Sequence, residues 1–313
     1  MNKNRIQFLI LILLMTTLQF CKNENKIENI VKEKTVSNIS TAKQQLKNTT
    51  SNYIMVFSHR GDWRNAPENS LQAIQNCIDM GVDGVEIDIR PTKDGHLVLM
   101  HDEKIDRTTT GKGLLSEWTL DSLKTLYLRN GANVPTKHKV PTLEEAMLTA
   151  KGKILVNLDK CYNHFDDAYK VLLKTKTTDH VVMKGKVSLS KVKSEFGNYL
   201  DKVVFMPIVD LDAPDSEIII EDYMKNYKPT AFEFIFKDEK SPVLNTFKTL
   251  RKNGSSVWVN SLWESLNAGY EDDMALKNPD SIYGWYIKKG VNMIQTDRPQ
   301  LLLDYLRNKK LHN

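Results

Sequence analysis

The stretch YIMVFSHRGDWRNAPENSLQAIQNCIDMG, residues 53–81, contains a complete strand–loop–helix unit. Its apolar start is typical of a buried strand, and HRGDWRNAPEN is typical of a loop because Gly, Pro and Asn favour turns. The segment that follows repeats apolar residues at helical spacing, at Leu71, Ile74, Cys77 and Ile78. His59 and Arg60 therefore stand where a strand ends and a loop begins, which is a favoured place for functional residues in α/β proteins.

Seven further apolar, β-rich runs follow, and helical patterns separate most of them. Together with 54–58, the predicted strands are 84–89, 153–159, 180–185, 202–209, 231–236, 256–260 and 291–296. Such alternation predicts parallel strands joined by right-handed crossovers. Eight units in about 260 residues predict a TIM-type (β/α)8 barrel of the α/β class. A doubly wound open sheet is the alternative, but the sequence lacks the G-x-G-x-x-G motif of many such folds.

The overall composition is that of a globular protein. The 313 residues are 41% hydrophobic and 27% charged, and 44 basic against 39 acidic residues leave a net charge of +5. No dense basic run with interleaved aromatic residues occurs, so we expect no nucleic-acid partner. Cys77 lies on the apolar face of the first helix and is expected to be a core thiol; a disulfide with Cys161 is the less favoured alternative.

The first 52 residues are expected to precede the folded domain. Residues 1–20 have a positive start and a short apolar run, the layout of a signal peptide. Leu18 and Cys21 match a bacterial lipoprotein cleavage site, although Phe20 is bulkier than the usual residue there; plain secretion or an uncleaved anchor is the alternative. Residues 21–52 are predicted to be a polar tether, and 53–313 the barrel domain. This layout predicts export, to the periplasm or to the outer-membrane or cell surface as a lipoprotein.

Three carboxylates stand at the ends of neighbouring predicted strands. Glu86 and Asp88 lie two residues apart, so their side chains point to the same face of one strand, and Asp159 ends the next. Inward carboxylates repel one another unless a cation or a proton lies between them. The pattern therefore predicts a site for a hard divalent cation, Mg²⁺ or Ca²⁺.

Basic side chains accompany these carboxylates. His59 and Arg60 end the first strand, His101 ends the short apolar run LVLM, and Lys160 follows Asp159. Two histidines with an arginine and a lysine suit acid–base chemistry on a phosphate ester. Each residue alone has a structural explanation, but their arrangement at the same end of adjacent strands favours an active site.

Four further residues are weaker candidates for this site. Glu233 and Trp258, inside the sixth and seventh strands, are predicted to reach the substrate pocket, with an outward position or a core position as the respective alternatives. Glu68 is expected to orient Arg60, and Asn69 to cap the following helix.

Several motifs in succession resemble the glycerophosphodiester phosphodiesterase family. They are HRG, PENS, GVDGVEIDIRPTKDGHLVLMHD, RTTTGKG, PTLEEAM, VWVN and IQTDRP, and they occur in order over residues 54–309. The resemblance implies a TIM-type barrel and the divalent-metal-dependent hydrolysis of glycerophosphodiesters, which are small molecules, to an alcohol and glycerol 3-phosphate. The protein would then be a phosphoric diester hydrolase.

The resemblance also implies roles for individual residues. His59 and His101 match the two catalytic histidines of the family, and Glu86 and Asp88 match two of its metal ligands. Asp159 stands where the family usually has a glutamate ligand, and Lys160 follows it. Since aspartate is one methylene shorter, the ion would lie closer or be reached through water.

Alternatives remain open from the sequence. A phosphodiesterase with the same barrel can act on a lysophospholipid or a phosphoinositide, and a lipoprotein can bind phosphodiesters without turnover. The presence of both histidines argues against the second. A metal-dependent sugar isomerase is a third barrel function, disfavoured by the pairing of HRG with HD.

Overall fold

A computed structural model of the protein describes residues 39–313. Within these residues eight parallel strands form a closed barrel, with neighbours in the order β1-β9-β8-β7-β6-β5-β4-β2 and β1 paired to β2. The strands are β1 (Met55–Ser58), β2 (Gly84–Pro91), β4 (Leu155–Asp159), β5 (Val181–Gly185), β6 (Val204–Asp210), β7 (Ala231–Ile235), β8 (Ser256–Asn260) and β9 (Met293–Thr296). The predicted (β/α)8 barrel is therefore confirmed. The short β3 (Leu97–Leu99) pairs antiparallel to the end of β2 and opens the long connection.

Helices cover the outside of the barrel. They are α1 (Ile39–Lys47), α2 (Leu71–Met80), α3 (Leu120–Thr125), α4 (Leu143–Ala150), α5 (Phe165–Thr175), α6 (Leu189–Phe196), α7 (Ser216–Asn226), α8 (Phe247–Lys252), α9 (Asp272–Ala275), α10 (Pro279–Lys289) and α11 (Pro299–Asn308). The loop before α2 turns sharply at Gly61, where φ is +76° and an added Cβ would lie 2.7 Å from the Ala73 side chain. Only glycine accommodates both the conformation and this close approach.

Cys77 and Cys161 are both buried free thiols. Cys77 faces the core from α2, as its place on the apolar face predicts, and the alternative of a disulfide is wrong.

The lower half of the barrel interior is filled by apolar side chains from the amino ends of the strands. This floor cluster comprises Met55, Phe57, Leu155, Val182, Met206, Ala231, Trp258 and Met293. Residues on a strand alternate between interior and exterior, so the next inward-facing residue lies two positions further along. At that higher level the inward-facing side chains become polar. The register sets Glu86 beside Asn157 and Asp88 beside Asp159 near the carboxyl ends of β2 and β4.

Part of the predicted tether belongs to the fold. Residues 39–47 form α1, whose buried Ala42 and Leu46 pack against the floor cluster. Arg251 on α8 then donates hydrogen bonds to the carbonyls of Thr49 and Ser51. The prediction of a tether is therefore wrong for residues 39–52: two apolar residues four positions apart suffice to seat a short helix on an open barrel end. Residues 21–38, like the predicted signal peptide 1–20 and Cys21, lie outside the described residues.

No helix among residues 39–313 is long and apolar enough to cross a membrane.

Leu46→Ala should lower the free energy of unfolding by about 2–4 kcal/mol, because it opens a cavity between α1 and the floor cluster. Leu148→Ala on α4 is the control, since Leu148 is 52% exposed and its loss should cost about 0.5 kcal/mol or less. Urea unfolding followed by circular dichroism measures both. Equal losses in the two variants would contradict a structural role for α1.

Candidate active site

The three predicted metal ligands lie together at the carboxyl end of the barrel. Glu86, Asp88 and Asp159 each present a carboxylate oxygen within 4.8 Å of the others. Glu86 and Asp88 are each only 1% exposed, whereas Asp159 is half-buried. Adjacent parallel strands bring them together, because Asp88 pairs in register with Asp159.

The electrostatics of this cluster favour a bound cation. Burial, followed by the charges of Asp88 and Asp159, raises the pKa of Glu86 well above its ordinary value. Glu86 Oε2 accepts a hydrogen bond of 2.9 Å from the Arg60 N–H, but the buried Oε1 has no hydrogen-bond partner among the described residues. Oxygen ligands in this arrangement fit a hard divalent cation such as Mg²⁺ or Ca²⁺.

A buried lysine that the sequence analysis missed lies beside the cluster. Lys184 Nζ on β5 lies 3.4 Å from Asp159 Oδ2 and 3.3 Å from Glu233 Oε2. Burial raises the pKa of Asp159, but the charges of Lys184 and Lys160 outweigh it and hold that pKa at about 2. The Lys184 side chain is 5% exposed, so its ammonium depends on these carboxylates for compensation.

The two predicted phosphate-binding cations flank Asp88. Arg60 Nε lies 3.5 Å from Asp88 Oδ2, and Lys160 Nζ lies 3.7 Å from Asp88 Oδ1. Both residues have positive φ, +54° in each case, so each turns sharply as its strand ends. Arg60 also donates to Glu68 at 3.2 Å, as expected from the sequence. Arg60 and Lys160 thus place two positive charges at the edge of the carboxylate cluster.

His59 is held by a carboxylate from the last strand's loop. Its Nδ1 lies 2.8 Å from Asp297 Oδ1, and Trp63 Nε1 donates to the same oxygen at 2.6 Å. Burial raises the pKa of Asp297, but the hydrogen bond and charge of His59 outweigh it and lower that pKa overall. The Trp263 ring, 44% exposed, stands 5.8 Å from the His59 ring. With Nδ1 engaged, Nε2 of His59 is the nitrogen left for substrate.

His101 is held by a carboxylate in the same way. Its Nδ1 lies 2.6 Å from Asp102 Oδ1. Arg107 donates to both Asp102 and Glu68, and the hydrogen bond from Arg107 is the main cause that lowers the pKa of Asp102. One chain of contacts therefore runs from His101 through Asp102, Arg107 and Glu68 to Arg60, the residue that follows His59 in the sequence.

Glu233 and Trp258, the two residues predicted to reach the substrate pocket from inside strands, have different surroundings. Glu233 points into the barrel, 3% exposed, where Oε1 accepts from Asn260 Nδ2 at 2.7 Å. Trp258 is fully buried in the floor cluster, with its ring 4.3 Å from Phe57. The prediction that Trp258 lines the pocket is wrong, because its side chain is fully buried among the apolar residues of the floor cluster. It supports the site from below, since Trp258 Nε1 donates to Asn260 Oδ1 at 2.8 Å.

Asn69 does not cap α2. Ser70 is the cap, and its hydroxyl accepts from the Ala73 N–H. The Asn69 amide instead bonds Asp88 twice, donating to Oδ2 at 2.9 Å and accepting from the Asp88 N–H at 3.1 Å. It therefore orients a predicted metal ligand.

Comparisons with known proteins come from sequence and structure. A model described as the Glycerophosphoryl diester phosphodiesterase family matches residues 59–202, and one described as a domain of unknown function matches residues 205–306. Glycerophosphodiester phosphodiesterase of Caldanaerobacter subterraneus subsp. tengcongensis is 41% identical over 108 residues, or 34% of this chain and 44% of the relative. Human glycerophosphodiester phosphodiesterase 1 is 39% identical over 127 residues, 39% of this chain and 38% of the relative. The chain spans less than half the length of these relatives.

Solved structures match over more of the chain. A glycerophosphoryl diester phosphodiesterase from Parabacteroides distasonis superimposes with a TM-score of 0.71 at 22% identity, covering 88% of this chain and 93% of that one. An Oleispira antarctica phosphodiesterase in complex with the product sn-glycerol-3-phosphate gives 0.61 at 19% identity, covering 81% and 96%. At these identities the likeness shows a shared fold.

Proposed function

The chain belongs, through residues 59–202, to the glycerophosphoryl diester phosphodiesterase family, and we propose on this basis that it hydrolyses glycerophosphodiesters to an alcohol and glycerol 3-phosphate. The observation that carries the proposal is one linked site: His59 and His101, each held at Nδ1 by a carboxylate, connect through Arg60 to the cluster of Glu86, Asp88 and Asp159.

The cluster of Glu86, Asp88 and Asp159 would hold the divalent cation. When bound, the ion would supply positive charge beside the phosphate and lower the pKa of a hydroxyl nearby. Arg60 and Lys160 would balance the charge that develops as phosphorus becomes pentacoordinate. Together these groups would reduce the repulsion between an anionic diester and a nucleophile, which is the main obstacle to hydrolysis.

The two histidines would divide the proton transfers. One Nε2 takes the proton of the nucleophile, which is water or the substrate's own glycerol 2-hydroxyl, and the other gives a proton to the departing alkoxide. Asp297 and Asp102 fix the two rings by accepting from Nδ1–H and stabilise each imidazolium as it forms. If the glycerol hydroxyl attacks first, water then opens the cyclic phosphate, so that one water is added across one P–O bond overall.

The direct test is to incubate the purified protein with glycerophosphocholine, glycerophosphoethanolamine, glycerophosphoinositol and lysophospholipids, and to identify products by mass spectrometry. We expect glycerol 3-phosphate and the free alcohol from the glycerophosphodiesters. Turnover of lysophospholipids alone would support the alternative substrate class. Binding of glycerophosphodiesters without turnover, measured by calorimetry, would support a binding protein instead.

We propose further that the protein is exported and that Cys21 carries a lipid, since residues 1–20 have the layout of a signal peptide and Leu18 stands three residues before Cys21. A radiolabelled fatty acid supplied to producing cells should label the wild-type protein and leave Cys21→Ser unlabelled. Equal labelling of both proteins, or of neither, would contradict lipidation of Cys21.

A further inference from the structure

A small cavity is lined by residues that bond the carboxylates holding His59 and His101. It has a volume of about 140 Å³ and separates the loop after β1 from the connection that follows β3. We call it the rim cavity; its walls include Trp63, Glu68, Arg107, Arg129, Asn130 and Gly131. None of these residues is a predicted metal ligand or catalytic histidine.

Two residues in the wall of the rim cavity donate hydrogen bonds to the carboxylates that hold the histidines. Trp63 donates to Asp297, the carboxylate that holds His59, and Arg107 donates to Asp102, the carboxylate that holds His101. Glu68, a third wall residue, pairs with Arg60. Hydrogen bonds and an ion pair thus join the wall of the cavity to the groups that hold both histidines and to Arg60.

The charges of the cavity wall do not cancel. Arg107 is compensated, because its guanidinium bonds both Glu68 and Asp102. Arg129 is held by two carbonyls, with Nε donating to Thr109 O at 2.8 Å and Nη1 to Asn133 O at 2.9 Å. It forms no ion pair with a carboxylate in the described part of the chain. A half-buried guanidinium with spare N–H donors thus remains in the wall.

The neighbouring amide adds donors as well. Asn130 Oδ1 already accepts from the N–H groups of Ala132 and Val134, at 3.1 and 3.0 Å. Its Nδ2 is therefore the group that Asn130 offers to a ligand. The Trp63 ring could attract a quaternary ammonium, but the Arg64 guanidinium already lies over that ring at 4.5 Å from its centroid. A wall that combines a positive charge with spare donors therefore complements hydroxyl or anionic oxygens better than a quaternary ammonium.

We propose that the rim cavity binds the alcohol head group of the substrate and selects a polyhydroxylated head group, such as inositol, over choline. Its volume is well below the ~300–1,000 Å³ of pockets for larger ligands, so it suits one small polar group and no acyl chain. This proposal rests on the proposed function, because it names the alcohol that the same site releases.

The test compares kcat/KM for glycerophosphoinositol and glycerophosphocholine in the wild type and two variants. The wild type should favour glycerophosphoinositol by about tenfold or more, the effect of a charge-assisted hydrogen bond. Arg129→Gln should lower kcat/KM for glycerophosphoinositol by about tenfold and change kcat/KM for glycerophosphocholine by less than about twofold. Lys137→Gln is the control, since it removes a positive charge from an exposed position in the same connection.

Gly131→Leu is a second variant for the same kcat/KM comparison if Arg129→Gln does not fold. An added Cβ at Gly131 would lie 3.4 Å from the Trp63 ring, an ordinary contact, so a larger side chain would fill the cavity and leave Arg129 in place. It should remove the preference as Arg129→Gln does. An equal kcat/KM for the two substrates in the wild type, or a preference unchanged in the folded variants, would overturn the proposal.

A binding measurement separates this proposal from the proposed function. Saturation-transfer NMR with free myo-inositol should show binding to the wild type and loss of binding in Gly131→Leu, with no binding of free choline. If no glycerophosphodiester is hydrolysed but this pattern appears, the proposed reaction fails and the cavity assignment stands. If glycerophosphodiesters are hydrolysed and inositol does not bind, the cavity assignment alone fails.

Discussion

Exhaustive chelation should abolish turnover of glycerophosphodiesters, and Mg²⁺ or Ca²⁺ should restore it. Glu86, Asp88 and Asp159 crowd their oxygens within 4.8 Å, and burial already raises the pKa of Glu86, so we expect a divalent cation to balance the charge of the cluster during turnover. Release of glycerol 3-phosphate before and after EDTA treatment measures the effect. Full activity without divalent metal would contradict the three-carboxylate site.

Substitutions of Asp159 refine this test. Asp159→Glu should keep more metal affinity than Asp159→Ala, because a longer carboxylate can still reach the ion. Calorimetric titration of the protein with Mg²⁺ or Ca²⁺ reports affinity independently of catalysis. Asp212→Ala, at an exposed carboxylate, is the control. Equal loss of affinity in both Asp159 variants would argue against Asp159 as a ligand.

His59→Ala and His101→Ala should each lower kcat by about 10²–10⁴-fold, since each removes one of the two proton transfers. The double variant should lose less than the product of the single losses, because groups that act as a unit are not additive. A nitrophenyl ester needs no proton donor for its leaving group. It should therefore rescue only the variant that lacks the general acid, and so assign the two roles.

Asp297→Asn provides a check on positioning. It removes the charge that His59 Nδ1 faces at 2.8 Å, so kcat should fall and the pH profile should shift while metal affinity stays. Asp304→Asn, at an exposed carboxylate on α11, is the matched control.

Near wild-type turnover in either His59→Ala or His101→Ala would contradict the two-histidine mechanism.

The barrel was predictable because its signal is local and repeated. Eight apolar runs and the helical patterns between them specify parallel strands, and the period-two rule then places Glu86 and Asp88 on one face. The short helix α1 was not predictable in this way. Only two of its residues, Ala42 and Leu46, form its buried apolar face. Its position depends on the open end of the barrel, which no local sequence pattern reveals.

The residues that complete the site were harder to find from the sequence. Lys184 lies in an apolar run, and only the full barrel shows that its ammonium meets Asp159 and Glu233. Asp297 lies 238 positions from His59, so their contact exists only after the last strand pairs with the first. The period-two rule could have placed Lys184 inside. It could not separate Glu233, near the ligands, from Trp258, which lies in the floor cluster.

The position of α1 fixes the end of the barrel at which the described residues begin. The helix seats on the amino ends of the strands, and the predicted metal ligands lie at the opposite end. A group attached at residue 39 would therefore lie on the far face from these ligands and would leave the opening above them accessible to a substrate.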